Sequence, residues 1–232
     1  MSQYSNIEEQ NDFYFNGFVN KEIKESNSFT SLLNFIKDSD AYDLSKSNYY
    51  SESYKQTYDL NKELIVKNKF FIEFLFQQDI PKYLERITGH PLYLGDITLR
   101  KTYLKEKSYM DWHRDTYIKN SKTVGRTPPV IKIIFYPKIN ENESSELEII
   151  KGSHNLYFKN IYIERLQRIL SKKIKIKSSN KKLLIFNSAM LHAAKTPSDE
   201  GSFRLIYNFC SNIQLSQFSR TKSIQDEYKS NL

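Results

Sequence analysis

Cysteine is almost absent from this chain of 232 residues, which contains Cys210 and no other. A single cysteine excludes an intrachain disulfide and any metal site built from several thiolates. The N-terminus lacks the basic start and apolar run of a secretory signal, so none is expected. Without disulfides or a signal, the predicted location is the reducing cytoplasm.

Long hydrophobic runs are missing as well. No stretch stays apolar for the roughly 20 residues that a membrane-spanning helix needs, so no membrane partner is expected. Histidine is scarce, and the chain has four, at positions 90, 113, 154 and 192. Any histidine-based site must therefore be built from this small set.

The composition that is present is that of a folded protein. Hydrophobic residues make up 39% and aromatic residues 14% of the chain, which is enough for a core and argues against global disorder. The net charge of +8 comes from lysines spread along the whole sequence. Such a spread favours an ordinary soluble protein over a nucleic-acid-binding one, and it also suits an anionic small substrate.

The order of the predicted elements indicates the fold class. Residues 29–89 show mostly helical spacing around a polar loop at 38–58, and residues 13–19 are predicted as a short strand around a turn. From residue 92 onward the spacing changes to the period of two that is typical of strands, with one helix predicted over 156–170. The strands are predicted around residues 92–94, 96–104, 110–117, 130–136, 146–151, 172–177, 182–186, 190–193 and 203–210.

Helices followed by many short strands predict an α+β fold. The strand number fits a double-stranded β-helix, the jelly-roll or cupin-like core, with the N-terminal helices packed on one sheet. We expect a single domain over 1–232. In this division residues 1–90 give mainly helical support, 91–210 form the catalytic jelly roll, and 211–232 form a C-terminal tail.

Two residues in the stretch 109–116 carry the first chemical signal. His113 and Asp115 lie two apart, so in a strand both side chains point to the same face. Such pairs arise by chance, and a metal site needs a third ligand. His192 is the candidate, because an apolar strand at 182–186 and an Asn-Ser-Ala turn would present it. Two histidines and one aspartate leave positions open on Fe(II) for a chelating co-substrate and O2.

Arg204 adds a second signal. It lies in an otherwise apolar strand, where burying a guanidinium is costly unless an anion meets it. A carboxylate that binds both arms of the guanidinium is the natural partner. Arg204 is therefore a candidate for holding the far carboxylate of a co-substrate.

These residues resemble the Fe(II)/2-oxoglutarate-dependent dioxygenases, and within them the phytanoyl-CoA dioxygenase-like branch. The resemblance covers roughly residues 92–210 and rests on His113-Arg114-Asp115, Gly152-Ser153-His154, His192 and Arg204. It implies that His113, Asp115 and His192 bind Fe(II) and that Arg204 binds the 5-carboxylate of 2-oxoglutarate. It further implies a hydroxylase that uses O2 on an unactivated C–H bond of a small molecule and releases succinate and CO2.

The chain departs from the pattern of the branch at Ala194. A serine or threonine that helps to bind 2-oxoglutarate often stands two residues after the distal histidine. Thr196, Tyr103 and Lys132 are the candidates to replace it.

Substrate contacts are predicted from the neighbours of the metal motif. The loop 117–129 is interpreted as a lid whose Lys122 and Arg126 meet an anionic group, and a plain solvated loop is an equal alternative. Trp112 is a candidate for substrate stacking, although core packing is the commoner role of such a residue. His154 is predicted to make a structural hydrogen bond and not to bind metal. The lysines of 173–177 are predicted on the solvated face of an edge strand.

Two other classes of function remain open. One is a catalytically silent jelly-roll binding protein, which would form no succinate in the presence of Fe(II). The other is a basic nucleic-acid-binding or nucleic-acid-modifying protein, whose binding would depend steeply on salt.

Overall fold

The computed structural model describes residues 2–38, 44–46, 57–102, 110–115, 130–138, 146–156, 161–177, 179–194 and 202–232. The helices are α1 (Ser2–Asn16), α2 (Asn27–Lys37), α3 (Lys62–Lys67), α4 (Phe70–Gln77), α5 (Ile80–Thr88), α6 (Ile161–Leu170) and α7 (Lys222–Lys229). Within the described ranges, no helix has both the length and the apolar character needed to cross a membrane.

Eleven strands are described, together with short 3-10 segments at Ser153–Asn155 and Asn212–Thr221. The strands are β1 (Phe18–Glu22), β2 (Leu44–Lys46), β3 (Thr57–Leu60), β4 (Tyr93–Thr102), β5 (Met110–His113), β6 (Ile131–Phe135), β7 (Glu146–Ile150), β8 (Lys173–Lys177), β9 (Lys182–Asn187), β10 (His192–Ala194) and β11 (Ser202–Cys210).

The strands form two antiparallel sheets. The major sheet has the order β1-β9-β6-β11-β4-β3-β2, and the minor sheet has the order β5-β10-β7-β8. One buried apolar cluster contains residues of both sheets, such as Ile134 and Ile206 from the major sheet and Leu147 and Ile149 from the minor sheet. Two antiparallel sheets that share an apolar interior in this way are a jelly roll. The predicted fold class is confirmed.

The helices cover the other face of the major sheet. Strand β11 shows why, because Leu205, Tyr207 and Phe209 belong to the large core that also contains the apolar faces of α2 to α5. The Tyr207 hydroxyl donates to the carbonyl of Phe71 in α4 at 3.0 Å. Alternation then turns Arg204 and Asn208 toward the space between the sheets. The fold thus places polar residues of β11 in the interior of the jelly roll.

Two regions differ from the sequence-based expectation. The short strand predicted around 13–19 is wrong for its first half, because α1 continues to Asn16 and β1 begins only at Phe18. Phe13 reads as a strand residue by composition, yet its side chain is buried from a helix. The tail 211–232, for which no structure was predicted, forms the second 3-10 segment and α7. Ile224 and Tyr228 of α7 are buried in the large core.

Gly17 makes the sharp change from α1 to β1 feasible. Its φ is +80°, and a Cβ atom there would lie 2.4 Å from His154 Nδ1 and 2.7 Å from Met190 Sδ. We expect Gly17→Ala to lower the free energy of unfolding by about 2 to 3 kcal/mol, from backbone strain and overpacking together.

Gly89 provides the matched control, to be compared by chemical denaturation. Its φ is +73°, and its added Cβ would approach no closer than 3.4 Å to Gln10 Nε2. Gly89→Ala should therefore lower the free energy of unfolding by the backbone strain alone, about 1 kcal/mol. Equal losses in the two variants would contradict the close packing at Gly17.

Candidate metal centre

Three side chains predicted from the sequence lie together where β5 ends and β10 begins. His113 ends β5, and His192 begins β10 and pairs with His113 across the two strands. Asp115 lies two residues after the end of β5. Its Oδ1 lies 3.5 Å from His113 Nε2 and its Oδ2 lies 3.1 Å from His192 Nε2. One ligand atom from each residue lies within 4.8 Å of the others, as in a site that could hold one metal ion.

Backbone carbonyls determine which nitrogen of each histidine carries the proton. His113 Nδ1 lies 2.7 Å from the carbonyl oxygen of Asp111, and His192 Nδ1 lies 2.9 Å from that of Met190. Because a carbonyl oxygen only accepts, Nδ1 must be the protonated nitrogen in both rings. The lone pair of each Nε2 therefore points into the cluster, as it does in metal-binding histidines.

The three ligand side chains turn electron-pair donors toward one another. His113 Nε2 is buried and has no hydrogen-bond partner in the part of the chain that the structure describes. His192 Nε2, also without a proton, faces a carboxylate oxygen. Two nitrogen lone pairs and a carboxylate that converge in this way fit a divalent first-row transition metal.

The charge states of the ligands agree with metal binding. Burial works against ionisation of Asp115, but the nearby Lys132 ammonium holds the pKa of its carboxyl well below the usual range. Burial lowers the pKa of His192, although the nearby Asp115 opposes this. A charged carboxylate and a neutral imidazole are the forms that bind metal ions.

A tight turn between β9 and β10 presents His192. Asn187 closes the turn, because its side-chain Oδ1 accepts from Ala189 N at 2.9 Å and its carbonyl accepts from Met190 N at 2.9 Å. The same turn holds the other half of the site, since Asp115 N donates to the carbonyl of Ser188 at 3.0 Å. The predicted Asn-Ser-Ala turn thus connects the two ligand-bearing segments.

Arg114 lies between two of the ligands and points to the opposite face of the strand. Its buried guanidinium donates to the carbonyls of Ser153 at 2.7 Å, of Leu156 at 3.0 Å and of Ala189. Its Nε also lies 3.3 Å from Glu164 Oε2 in α6. Arg114 therefore joins the metal motif to the turn that presents His192, to the 3-10 segment at Ser153–Asn155 and to α6. We call this set of contacts the clamp of Arg114.

The Gly152-Ser153-His154 turn has a structural role. Ser153 Oγ accepts from Leu191 N at 2.8 Å, next to His192 in sequence. His154 Nε2 donates to the carbonyl of Tyr14 at 2.9 Å, so the prediction of a structural hydrogen bond is confirmed.

The clamp made by Arg114 was not predicted. Its only sequence signal is an arginine that alternation places behind two metal ligands.

Arg204 lies on the inner face of the major sheet. Its side chain is buried, and Nη2 donates to Thr102 Oγ1 at 3.2 Å. Asn208, four residues further along the same face of β11, pairs with Lys132. Arg204 therefore lies four residues along β11 from the position that pairs with Lys132, whose side chain contacts Asp115.

The remaining predicted residues are not all placed at the cluster. Lys132 Nζ lies 2.8 Å from Asp115 Oδ2. Trp112 lies on the opposite face of β5 from His113, with Lys173 Nζ 5.4 Å from the centre of its ring. Lys173 begins β8, which is an edge strand with exposed lysines as predicted. The predicted contacts that lie outside the described residues are Tyr103, Thr196, Lys122, Arg126 and the loop 117–129.

Comparison with known proteins shows similarity at the level of structure. No protein-family model matches the sequence, and no curated protein matches it. The non-heme alpha ketoglutarate-dependent epimerase SnoN from nogalamycin biosynthesis is similar with a TM-score of 0.68 and 12% identity over 90% of this chain and 84% of that chain. At an identity this low, the structural similarity shows a shared fold alone.

Two further solved structures share the fold. HygX from Streptomyces hygroscopicus, with nickel, 2-oxoglutarate and hygromycin B bound, has a TM-score of 0.64 and 12% identity over 88% of this chain and 87% of that chain. EctD from S. alaskensis, with 2-oxoglutarate and 5-hydroxyectoine, has a TM-score of 0.62 and 12% identity over 91% of this chain and 76% of that chain. The core of this chain is thus one that is found in 2-oxoglutarate-dependent proteins.

Proposed function

We propose that this chain is an Fe(II)- and 2-oxoglutarate-dependent oxygenase. The observation that carries the proposal is the cluster of His113, Asp115 and His192, in which both Nε2 lone pairs and an ionised carboxylate converge. The shared fold with proteins crystallised with 2-oxoglutarate supports it. The Gly152-Ser153-His154 turn supports placing the chain in the phytanoyl-CoA dioxygenase-like branch.

The residues of the interior have distinct roles in this proposal. His113, Asp115 and His192 hold Fe(II). Arg204, positioned by Thr102, pairs with the 5-carboxylate of 2-oxoglutarate. Bound together, Fe(II), 2-oxoglutarate and O2 supply the oxidation, in which 2-oxoglutarate gives succinate and CO2 while a C–H bond of the substrate is oxidised.

Two residues keep the metal ligands in place. Lys132 pairs with Asp115 at 2.8 Å and so maintains the carboxylate in its charged form. The ring of Phe186 packs edge-on against His192, with 5.2 Å between ring centres, and shields that side of the imidazole from water. Neighbours of this kind fix the orientation of metal ligands.

We further propose that the substrate is a small molecule and that the reaction is a hydroxylation. The similar structures include an alpha ketoglutarate-dependent epimerase and carbocyclase and proteins with hygromycin B or 5-hydroxyectoine bound, so proteins of this fold act on or bind various small molecules. Asp115 supports oxygenation over halogenation, because a small residue in its place would leave a position for halide. Trp112, Lys122 and Arg126 stay predictions for substrate contact.

The direct test is succinate formation. Purified protein is incubated in air with Fe(II) and 2-oxoglutarate, with and without a panel of small-molecule substrates, and succinate is measured by mass spectrometry. We expect Fe(II)-dependent succinate that rises with a productive substrate and disappears when a chelator is added. A protein that binds neither Fe(II) nor 2-oxoglutarate by calorimetry would instead be a silent jelly-roll binding protein.

Arg204 provides a quantitative prediction. Charge-assisted hydrogen bonds are worth about 1.5 to 3 kcal/mol, so Arg204→Met should raise the KM for 2-oxoglutarate by about 10- to 100-fold. Arg204→Lys keeps the charge but loses the bidentate geometry, so its KM for 2-oxoglutarate should lie between those of the wild type and Arg204→Met. Steady-state succinate assays measure KM, and calorimetry should show unchanged metal affinity. An unchanged KM in both variants would remove Arg204 from the 2-oxoglutarate site.

A further inference from the structure

Asn208 is the one residue of β11 that is not buried. It lies on the inner face of the major sheet, and its register partner on the neighbouring strand is Lys132. Lys132 is in turn the one residue of β6 that is not buried, and its ammonium lies 2.8 Å from Asp115. The accessible residues of these two central strands therefore lie side by side, next to a metal ligand.

The side-chain amide of Asn208 is not used by the chain itself. It makes no hydrogen bond within the part of the chain that the structure describes. On one side, its register partner Lys132 pairs with Asp115. On the other side, its register partner Asp96 of β4 pairs with Lys62 at 2.7 Å. The two donors and the acceptor of the amide are thus open to a molecule bound beside the metal.

The position of Arg204 indicates which molecule this is. Arg204 and Asn208 lie four residues apart on the same face of β11, because side chains alternate along a strand. The spacing between them is about 13 Å. A molecule with one carboxylate on Arg204 and its other end at the metal lies along this face, over Ile206. Its metal-bound end is then beside Asn208, since the neighbouring Lys132 already contacts a metal ligand.

Ala194 leaves the co-substrate without a hydrogen bond where a serine or threonine often stands in the branch that the chain resembles. The Ala194 side chain packs in the apolar cluster between the sheets. Of the residues predicted to replace it, Thr196 and Tyr103 lie outside the described residues, and Lys132 is engaged in an ion pair. Asn208 has the hydrogen-bond donor that Ala194 lacks.

We propose that Asn208 binds the metal-chelating end of 2-oxoglutarate, with its side-chain Nδ2 donating to the 1-carboxylate. The inference rests on the proposed function, since it concerns the same molecule that Arg204 pairs with at the 5-carboxylate. The two residues divide the task between them. Arg204 neutralises the far end of the co-substrate, and Asn208 orients the end that chelates the metal.

The test is the dissociation constant of 2-oxoglutarate for the Mn(II)-loaded protein, measured by calorimetry. Asn208→Leu removes the amide and should raise this constant by about 10- to 100-fold, as expected for a hydrogen bond to a charged group. The affinity for Mn(II) alone should not change. Asn20→Leu is the matched control, because Asn20 also lines the space between the sheets but lies on β1, with two strands between it and β11. This variant should bind 2-oxoglutarate like the wild type.

Visible absorption of the anaerobic Fe(II) complex with 2-oxoglutarate reports on the chelating end. Asn208→Leu should shift this absorption band, whereas Arg204→Met should only raise the concentration of 2-oxoglutarate at which the band appears. Asn208→Asp keeps the shape of the side chain and replaces the donor with an acceptor. It should therefore bind 2-oxoglutarate at least as weakly as Asn208→Leu, and it provides the measurement if the leucine variant does not fold.

The outcomes separate this inference from the proposed function. A wild-type protein that binds 2-oxoglutarate, with unchanged dissociation constants in both Asn208 variants, would overturn the inference and leave the proposed function standing. A wild-type protein that binds Mn(II) but no 2-oxoglutarate would overturn both. Equal losses of 2-oxoglutarate affinity in the Asn208 and Asn20 variants would also overturn the inference, because the effect would then be on the fold.

Discussion

Replacing His192 with alanine is expected to weaken metal binding by at least about 100-fold and to reduce succinate formation to the level of metal-free protein. His192 is buried at the centre of the cluster, and its Nε2 lies 3.1 Å from Asp115. Without it, the two remaining ligands are His113 at the end of β5 and Asp115 two residues later, and no ligand remains on β10. Apart from His113, which is already a ligand, the described residues place no histidine in the cluster, so no neighbour can replace His192.

The two effects are measured separately. Anaerobic calorimetry with Fe(II) gives the metal affinity, and mass spectrometry gives the rate of succinate formation. His90→Ala is the matched control, because His90 is exposed in the turn before β4 and should retain full metal affinity and turnover. Full turnover in His192→Ala would show that the assigned metal site is wrong. Equal losses in both variants would indicate an effect on the fold and not on the ligand set.

The second large effect is expected at Arg114. Arg114→Met should lower the free energy of unfolding by about 3 to 5 kcal/mol, because it leaves Glu164 and three backbone carbonyls without their buried cation. For a chain of this size, that corresponds to a fall in Tm of roughly 10 °C. Metal affinity should fall as well, since the substituted residue lies between His113 and Asp115.

Thermal and chemical denaturation of the metal-free protein measure this loss. Arg86→Met is the matched control, because the ion pair of Arg86 with Glu9 is largely exposed, with side-chain accessibilities of 41% and 46%. Exposed pairs contribute less than about 1 kcal/mol, so this variant should stay close to wild type. If both arginine variants were equally stable, the contacts of Arg114 would not hold the site together.

The fold class and the metal ligands were accessible from the sequence because both depend on local periodicity. Alternation along a strand places His113 and Asp115 on one side, and the Asn187 turn has a recognisable composition. The same alternation places Leu205 on the face of β11 that meets the helices and Arg204 on the face toward the space between the sheets. Such patterns need no knowledge of which elements meet in space.

The contacts that hold the site were not accessible, because they depend on which elements meet. Lys132 stays a predicted contact of 2-oxoglutarate, and its ion pair with Asp115, which was not predicted, forms only when β6 and β5 face each other across the jelly roll. The clamp of Arg114 depends on the meeting of two turns and α6 on the outer side of β5. Phe13 was misassigned for a related reason, since its burial comes from helix packing and its composition alone suggests a strand.

The pairing of β1 with β9 determines when the protein can finish folding. Phe18 pairs with Phe186, so β1 must wait for its partner until the chain has been made as far as β9. Contacts between such distant segments close large loops and slow the folding of a domain. His113 likewise meets His192 only after the same delay. During translation, therefore, metal binding cannot guide the early steps, and an unpaired β1 depends on its polar neighbours and on α1 to avoid aggregation.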